Sequence, residues 1–296
     1  MDYLEKYGFN CTAGKVASSL AAISSALPER ASEETLKTCF ASMDLTTLHT
    51  GDTVKSVEAL VEKANRVTED FPGCPLPASV CVYPNFASVV RSCRKSPELH
   101  VTTVAGCFPS SQSWLSVKVL ECHMAVREGA DEIDIVLALN SFLAGDYAAA
   151  AEEIAEMRKA VDEEAAAAGR KVILKVILET GELSTVENIA AASFLAMESG
   201  ADFIKTSTGK VSVNATPEAA YVMCECIRLF HEKTGRKVGF KAAGGISTAE
   251  DAVYYYSIVE SVLGGEWLGK NLFRLGVSRL GNSLLGAIEK KTVKYF

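Results

Sequence analysis

The sequence predicts an α/β protein of the (β/α)8 TIM barrel class. About eight short β-type runs recur along the chain, each is followed by a longer segment of helical periodicity, and no Pro/Gly/Ser-rich linker interrupts the alternation. A chain of 296 residues with 48% hydrophobic content suits one such domain, because a closed barrel of this kind takes roughly 250 residues.

The expected strands lie around Ser42–Leu45, Val80–Tyr83, Val101–Val104, Glu132–Leu137, Val172–Leu178, Asp202–Thr206, Val238–Ala242 and Leu272–Leu275. Helices are expected over Thr53–Asn65, Asn85–Arg94, Ser111–Glu128, Tyr147–Ala168, Ser184–Glu198, Pro217–Glu232, Thr248–Leu263 and Arg279–Lys290. Asp146, Ser184 and Thr216 before Pro217 read as capping residues. The alanine-rich stretch after Tyr147 still carries a helical stripe in Ile154, Met157 and Val161. Residues 1–30 read as an extra amphipathic helix closing the bottom of the barrel, and residues 291–296 as a short tail. The whole of 1–296 is therefore expected to form a single domain.

Composition narrows the partners. A formal charge of −7 leaves no electrostatic footprint for nucleic acid or an anionic membrane, and a small molecule is the expected ligand. The chain shows neither a signal pattern nor an apolar run of roughly 20 residues, so a cytoplasmic location is expected. The nine cysteines are scattered without a paired CxxC arrangement, which favours reduced thiols over a metal site.

Strand side chains alternate between the helix-facing side and the barrel interior, so sequence parity becomes geometry. In DEIDIVL the residues Ile133, Ile135 and Leu137 face the helices, which turns Glu132 and Asp134 inward. By the same rule Lys175 and Glu179, Phe203, Lys205 and Ser207, and Gly239 and Lys241 point inward, with Asp44 on the first strand. One reading is an ion-pair network that holds the barrel together. The other follows from two lysines facing each other: like charge and desolvation both disfavour the ammonium, so one amine loses its proton near neutral pH and becomes a nucleophile. Lys205 is the candidate to attack a carbonyl and form a Schiff base. The turns AlaGlyGly at 243–245 and LeuGlyValSer at 275–278, each followed by a helix, offer backbone N–H groups to an anion.

The segments MDLTTL (43–48), VCVYP (80–84), GADEIDIV (129–136), LKVILETGEL (174–183), GADFIKTSTGKVSVNATPEA (200–219) and VGFKAAGGISTAEDA (238–252) together resemble the 2-deoxyribose-5-phosphate aldolases, class I aldolases on a barrel. The resemblance runs from about Met43 to Leu285. It implies reversible cleavage of 2-deoxy-D-ribose 5-phosphate to acetaldehyde and D-glyceraldehyde 3-phosphate, with no cofactor and no metal. It places the Schiff-base lysine at Lys205, its partner at Lys241, the proton-relay aspartate at Asp134 and a supporting aspartate at Asp44. Lys210, Gly244, Gly245, Gly276 and Ser278 are implied to bind the 5-phosphate, and Cys81 to line the site. The partners implied are the sugar phosphate and aldehyde, with a homo-oligomer as a further possibility.

Three positions depart from the family pattern: Ala242 where proline is common, Ser247 where arginine is frequent, and Arg279 where a hydroxyl residue is common. Arg279 is accordingly a candidate to replace the missing charge at the phosphate. Some family members end in a tyrosine that assists proton exchange, which makes Tyr295 a catalytic candidate on a mobile lid; a frayed tail without a role is the other reading. Two further functional readings stand beside the aldolase: a drifted paralogue serving as a sugar-phosphate-binding or protein-interaction module, and a Schiff-base aldolase for a related phosphorylated aldehyde.

Overall fold

The computed structural model describes residues 2–296, with Pro28 described by its backbone only. Eight parallel strands close into a barrel in the order of the chain. They are β1 (Met43–Thr46), β2 (Ser79–Val82), β3 (His100–Val104), β4 (Glu132–Val136), β5 (Ile173–Ile177), β6 (Phe203–Lys205), β7 (Gly239–Ala243) and β8 (Phe273–Val277). Every strand falls where hydrophobic alternation places it, within a few residues at each end.

The ring helices form where their caps and stripes dictate. Val54–Asp70 starts in a reciprocal capping box between Thr53 and Ser56, and buries Val57, Val61, Ala64 and Val67. Pro217–Thr234 opens with Thr216 accepting from the Ala219 N–H and ends at Gly235, whose φ of 73° suits a residue without a Cβ. Ser184 does not begin the fifth ring helix as expected. It adopts φ 61° at the end of the short helix Thr180–Leu183, and Thr185 caps Val186–Glu198 instead.

The N-terminal extension differs from its expected form and place. The described part contains Tyr3–Tyr7, Ala13–Ser25 and Leu27–Arg30 in place of one helix, and a further helix, Glu33–Ala41, leads into β1. The first three lie on the flank of the ring. Tyr7 stacks on Phe194 with centroids 4.3 Å apart, the Tyr221 hydroxyl donates to Ser19 Oγ at 3.1 Å, and Arg30 pairs with Glu260. The stripe Val16, Leu20 and Ile23 is buried there, so the extension caps helix surface and leaves the barrel bottom to the inward side chains.

Those side chains fill the lower barrel tightly. Gly239 is required beside Phe203, because a Cβ at 239 would stand 2.3 Å from the Phe203 ring. The register then sets the charged residues in adjacent pairs: Asp134 beside Lys175, Lys205 beside Lys241, and Lys241 beside Arg274.

Candidate active site

The inward positions of six strands meet in one buried ion cluster. Lys205 donates to Oδ2 of Asp134 at 2.8 Å, and Lys241 donates to the same oxygen at 2.7 Å. Lys175 takes the other oxygen, Oδ1, at 2.8 Å. Asp44 holds Lys241 from β1 at 2.5 Å, and accepts from the Ser79 hydroxyl at 2.8 Å. Four of the five residues proposed for catalysis, Lys205, Lys241, Asp134 and Asp44, are therefore in one contiguous network, with Asp44 and Asp134 fully buried and Lys205 at 4% exposure on its open edge.

Charge and burial act differently on the three lysines. Burial pulls Lys205 below the ordinary lysine range and the Lys241 ammonium adds to this, while the single Asp134 contact opposes it. Burial pulls on Lys241 too, but Asp134 and Asp44 outweigh it and hold this ammonium well above the usual range. Lys175 is likewise held up by Asp134 and Glu132 against its burial. The carboxylates move the other way. Burial alone would raise Asp44, yet Lys241, Arg274 and Lys175 bring it down to about 2, and Asp134 lies well below its normal value. Lys205 is thus the one of the three lysines whose amine is pulled towards the neutral form that attack on a carbonyl needs, beside an ammonium held up at Lys241.

Cys81 stands against this cluster. Burial pushes its thiol up despite the neighbouring lysines, so it is a protonated wall of the site.

The expected phosphate residues gather at the C-terminal mouth. Gly244 and Gly245 take φ 84° and 81° after β7, and Gly276 lies opposite Ala243 on β8. A Cβ on Gly276 would come within 3.0 Å of Lys241 Cε, so this glycine brings the β8 turn directly over the cluster. Ser278 and Arg279 are exposed where Leu280–Glu289 begins, and that helix has no side-chain cap. Lys210 reaches across the mouth and donates to the Leu48 carbonyl at 2.6 Å.

Tyr295 is not brought to the site. Its hydroxyl donates to Asp70 Oδ2 at 2.8 Å, at the end of a helix that descends from the mouth, and its ring meets Phe71 edge-on at 5.1 Å. The tail is anchored as a whole. Asn282 Oδ1 accepts from the Tyr295 and Phe296 N–H groups, and the Phe296 ring packs where a Cβ on Gly281 would lie 2.6 Å away. Neither the frayed tail nor the mobile lid describes this arrangement.

Sequence parity turns Glu132 and Glu179 inward without a catalytic role and leaves Arg274 unnamed. Arg274 is almost fully buried and binds Asp44 at 2.6 Å and Glu132 at 2.7 and 3.0 Å. Its parity signal was present, since Phe273 and Leu275 flank it as helix-facing residues. Glu132 also binds Lys175 at 2.5 Å and His100 Nδ1 at 2.7 Å. Glu179, in a left-handed conformation past the end of β5, accepts from Thr208 N–H at 3.0 Å and from its hydroxyl at 2.5 Å, which fixes the loop after Lys205.

Among the described residues no group of three or more His, Cys, Asp or Glu is placed to hold a metal ion.

Comparison with known proteins identifies the family and agrees with the fold. A family model described as DeoC/LacD family aldolase matches residues 38–274. The human protein named deoxyribose-phosphate aldolase is 42% identical over 260 residues, which span 84% of this chain and 78% of that protein. The solved structure of QR15, an aldolase, gives a TM-score of 0.63 at 29% identity over 85% of this chain and 94% of its own. The deoxyribose phosphate aldolase from Aeropyrum pernix, described as having a unique tetrameric structure, gives 0.65 at 22% identity over 86% and 91%, a likeness of fold. The family match covers most of the chain, from β1 through β7 and the first two residues of β8, and this protein belongs to the DeoC/LacD family of aldolases.

Proposed function

We propose that this enzyme reversibly cleaves 2-deoxy-D-ribose 5-phosphate to acetaldehyde and D-glyceraldehyde 3-phosphate through a Schiff base on Lys205. The observation that carries the reading is the sharing of Asp134 Oδ2 by a depressed amine and a fixed ammonium. The neutral Lys205 Nζ attacks C1 of the open-chain sugar to give a carbinolamine. Loss of water from it forms an iminium, which accepts the electron pair as the C3 hydroxyl gives up its proton, the C2–C3 bond breaks and the phosphorylated aldehyde leaves. Protonation of the resulting enamine at C2 and hydrolysis of the imine release acetaldehyde. Lys241 and Asp134 move the protons of these steps, and Asp44 orients Lys241.

Backbone N–H groups around Gly244 and Gly245, with Gly276, Ser278 and Arg279 at the uncapped start of Leu280–Glu289, bind the 5-phosphate. Lys210 joins them by leaving the Leu48 carbonyl. The reading includes a cytoplasmic setting, supported by nine free cysteines and by a helix set in which none of the described residues forms a span long and apolar enough to cross a membrane. It also includes a homo-oligomer, supported by the exposed apolar stripe of Trp114, Val117, Leu120 and Met124 along one helix.

Incubation with 2-deoxyribose 5-phosphate and enzymatic assay of both aldehydes tests the activity. Borohydride trapping followed by peptide mapping tests the nucleophile, and an adduct on Lys241 or Lys210 in place of Lys205 sinks the assignment.

A further inference from the structure

The barrel interior holds three carboxylates, Asp44, Glu132 and Asp134, against four cations, Lys175, Lys205, Lys241 and Arg274. Opposite charges balance when one cation gives up its proton. Three of the four cannot do so readily. Arg274 forks onto Glu132 with both terminal nitrogens and onto Asp44 with one of them; Lys175 touches Glu132 and Asp134; and Lys241 touches Asp44 and Asp134. Lys205 has Asp134 alone.

We infer that Arg274 and Glu132, at the N-terminal ends of their strands, are positioning residues that set the charge balance of the interior and so decide at what pH Lys205 becomes a neutral nucleophile. The inference rests on the Schiff-base reading above and adds to it a control that lies away from the reacting atoms. The path is continuous: Arg274 binds Asp44, which binds Lys241, which shares Asp134 Oδ2 with Lys205, and Glu132 reaches the same carboxylate through Lys175. Both residues are sealed from water, where a unit charge acts at long range.

The other groups facing Lys205 do not remove this dependence. On β2 the Cys81 thiol is kept protonated by burial. Past β5 the Glu179 carboxylate is spent on Thr208, and burial pushes it upward. On β3 His100 meets the network only at Glu132, with a third of its side chain exposed.

The signs of two substitutions are opposite. Arg274→Met removes a cation, and Asp44 and Glu132 each keep a lysine that holds them ionised, so the Lys205 ammonium is favoured and its titration moves up. Glu132→Gln removes an anion while preserving shape, and the titration moves down. Each shift is expected to be about one pH unit. Arg274→Lys keeps the charge and leaves the midpoint near that of the wild type, and the double variant Arg274→Met/Glu132→Gln returns towards it.

The experiment is the pH dependence of single-turnover trapping at Lys205, using acetaldehyde and cyanoborohydride, read by intact mass. Opposed midpoint shifts in the two single variants support the inference. Coincident profiles, or shifts of the same sign, overturn it while leaving the Schiff-base reading in place. Wild-type protein without an adduct at Lys205 overturns both. If Arg274→Met fails to fold, the near-isosteric Glu132→Gln decides alone: a downward shift supports the inference and an unmoved midpoint overturns it.

Discussion

Lys205 and Lys241 lie side by side across β6 and β7 and donate to the same oxygen, Oδ2 of Asp134, at 2.8 and 2.7 Å. Two ammonium groups around one carboxylate oxygen repel each other, and of these two lysines only Lys241 is also held by a second carboxylate, Asp44. The repulsion is therefore relieved at Lys205. The same contact offers the departing proton a route, since Asp134 stands within hydrogen-bond reach of the amine and Lys241 holds the same carboxylate oxygen.

Replacing Lys241 by leucine separates its two roles. Loss of the neighbouring cation raises the Lys205 titration, so the rising limb of the pH–kcat/KM profile moves to higher pH. Loss of the relay lowers the plateau, on the order of 10²–10⁴-fold for a positioned acid–base group. Steady-state kinetics across pH with deoxyribose 5-phosphate read both effects. A shifted limb with an intact plateau would leave Lys241 an electrostatic role alone.

The interior was readable from the sequence where apolar neighbours announced the strand face. Ile133 and Ile135 turn Glu132 and Asp134 inward, and Ile204 does the same for Lys205. Arg274 obeys this rule between Phe273 and Leu275, but a single basic residue on the last strand carries no sign of the two carboxylates it binds on distant strands. The N-terminal stripe of Val16, Leu20 and Ile23 specifies a helix without specifying which surface receives it. The tail was least legible, because its anchoring depends on Asn282 and on the absence of a side chain at Gly281, both outside the tail itself. Parity reports which way a residue faces and says nothing about the partner it meets there.

Arg279 provides a test of the phosphate end. It is exposed at the start of Leu280–Glu289, where an arginine is poorly matched to the positive end of the helix dipole unless an anion sits between them. Arg279→Ala is expected to raise KM for deoxyribose 5-phosphate about tenfold and to leave cleavage of unphosphorylated deoxyribose unchanged. Equal effects on the two substrates would remove the arginine from the phosphate site.

Acid stability follows from the depressed carboxylates. Asp44 falls from 3.8 to about 2 on folding, and Asp134 and Glu132 fall well below their ordinary values because of the buried cations. A carboxylate with a lowered folded-state pKa contributes stability above its unfolded pKa and loses it as the pH falls towards the folded one. Thermal midpoints should hold between pH 7 and 5 and then drop steeply from about pH 4 to pH 2. Glu132→Gln should flatten this drop, measured by circular dichroism melts; a parallel curve would remove Glu132 from the acid loss.

The tail predicts a result opposite to that of a catalytic lid. The Tyr295 hydroxyl is committed to Asp70 Oδ2 and the Lys63 carbonyl, at 2.8 and 2.9 Å, and the neighbouring Phe296 ring lies against Gly281. A hydroxyl that transferred the enamine proton would contribute on the order of 10²-fold, whereas one docked on the outer helix contributes only to stability. Tyr295→Phe is therefore expected to leave solvent exchange of the acetaldehyde methyl protons within about twofold of wild type, followed by NMR in deuterated buffer. Gly281→Ala should displace the Phe296 ring, because the new methyl would stand 2.6 Å from it, at a cost of about 1–3 kcal/mol. Truncation after Thr292 should likewise lower the melting midpoint by a few degrees while trapping at Lys205 proceeds. A hundredfold loss of exchange in Tyr295→Phe, with unchanged stability, would show that the tail leaves its dock during turnover and that its hydroxyl reaches the enamine after all.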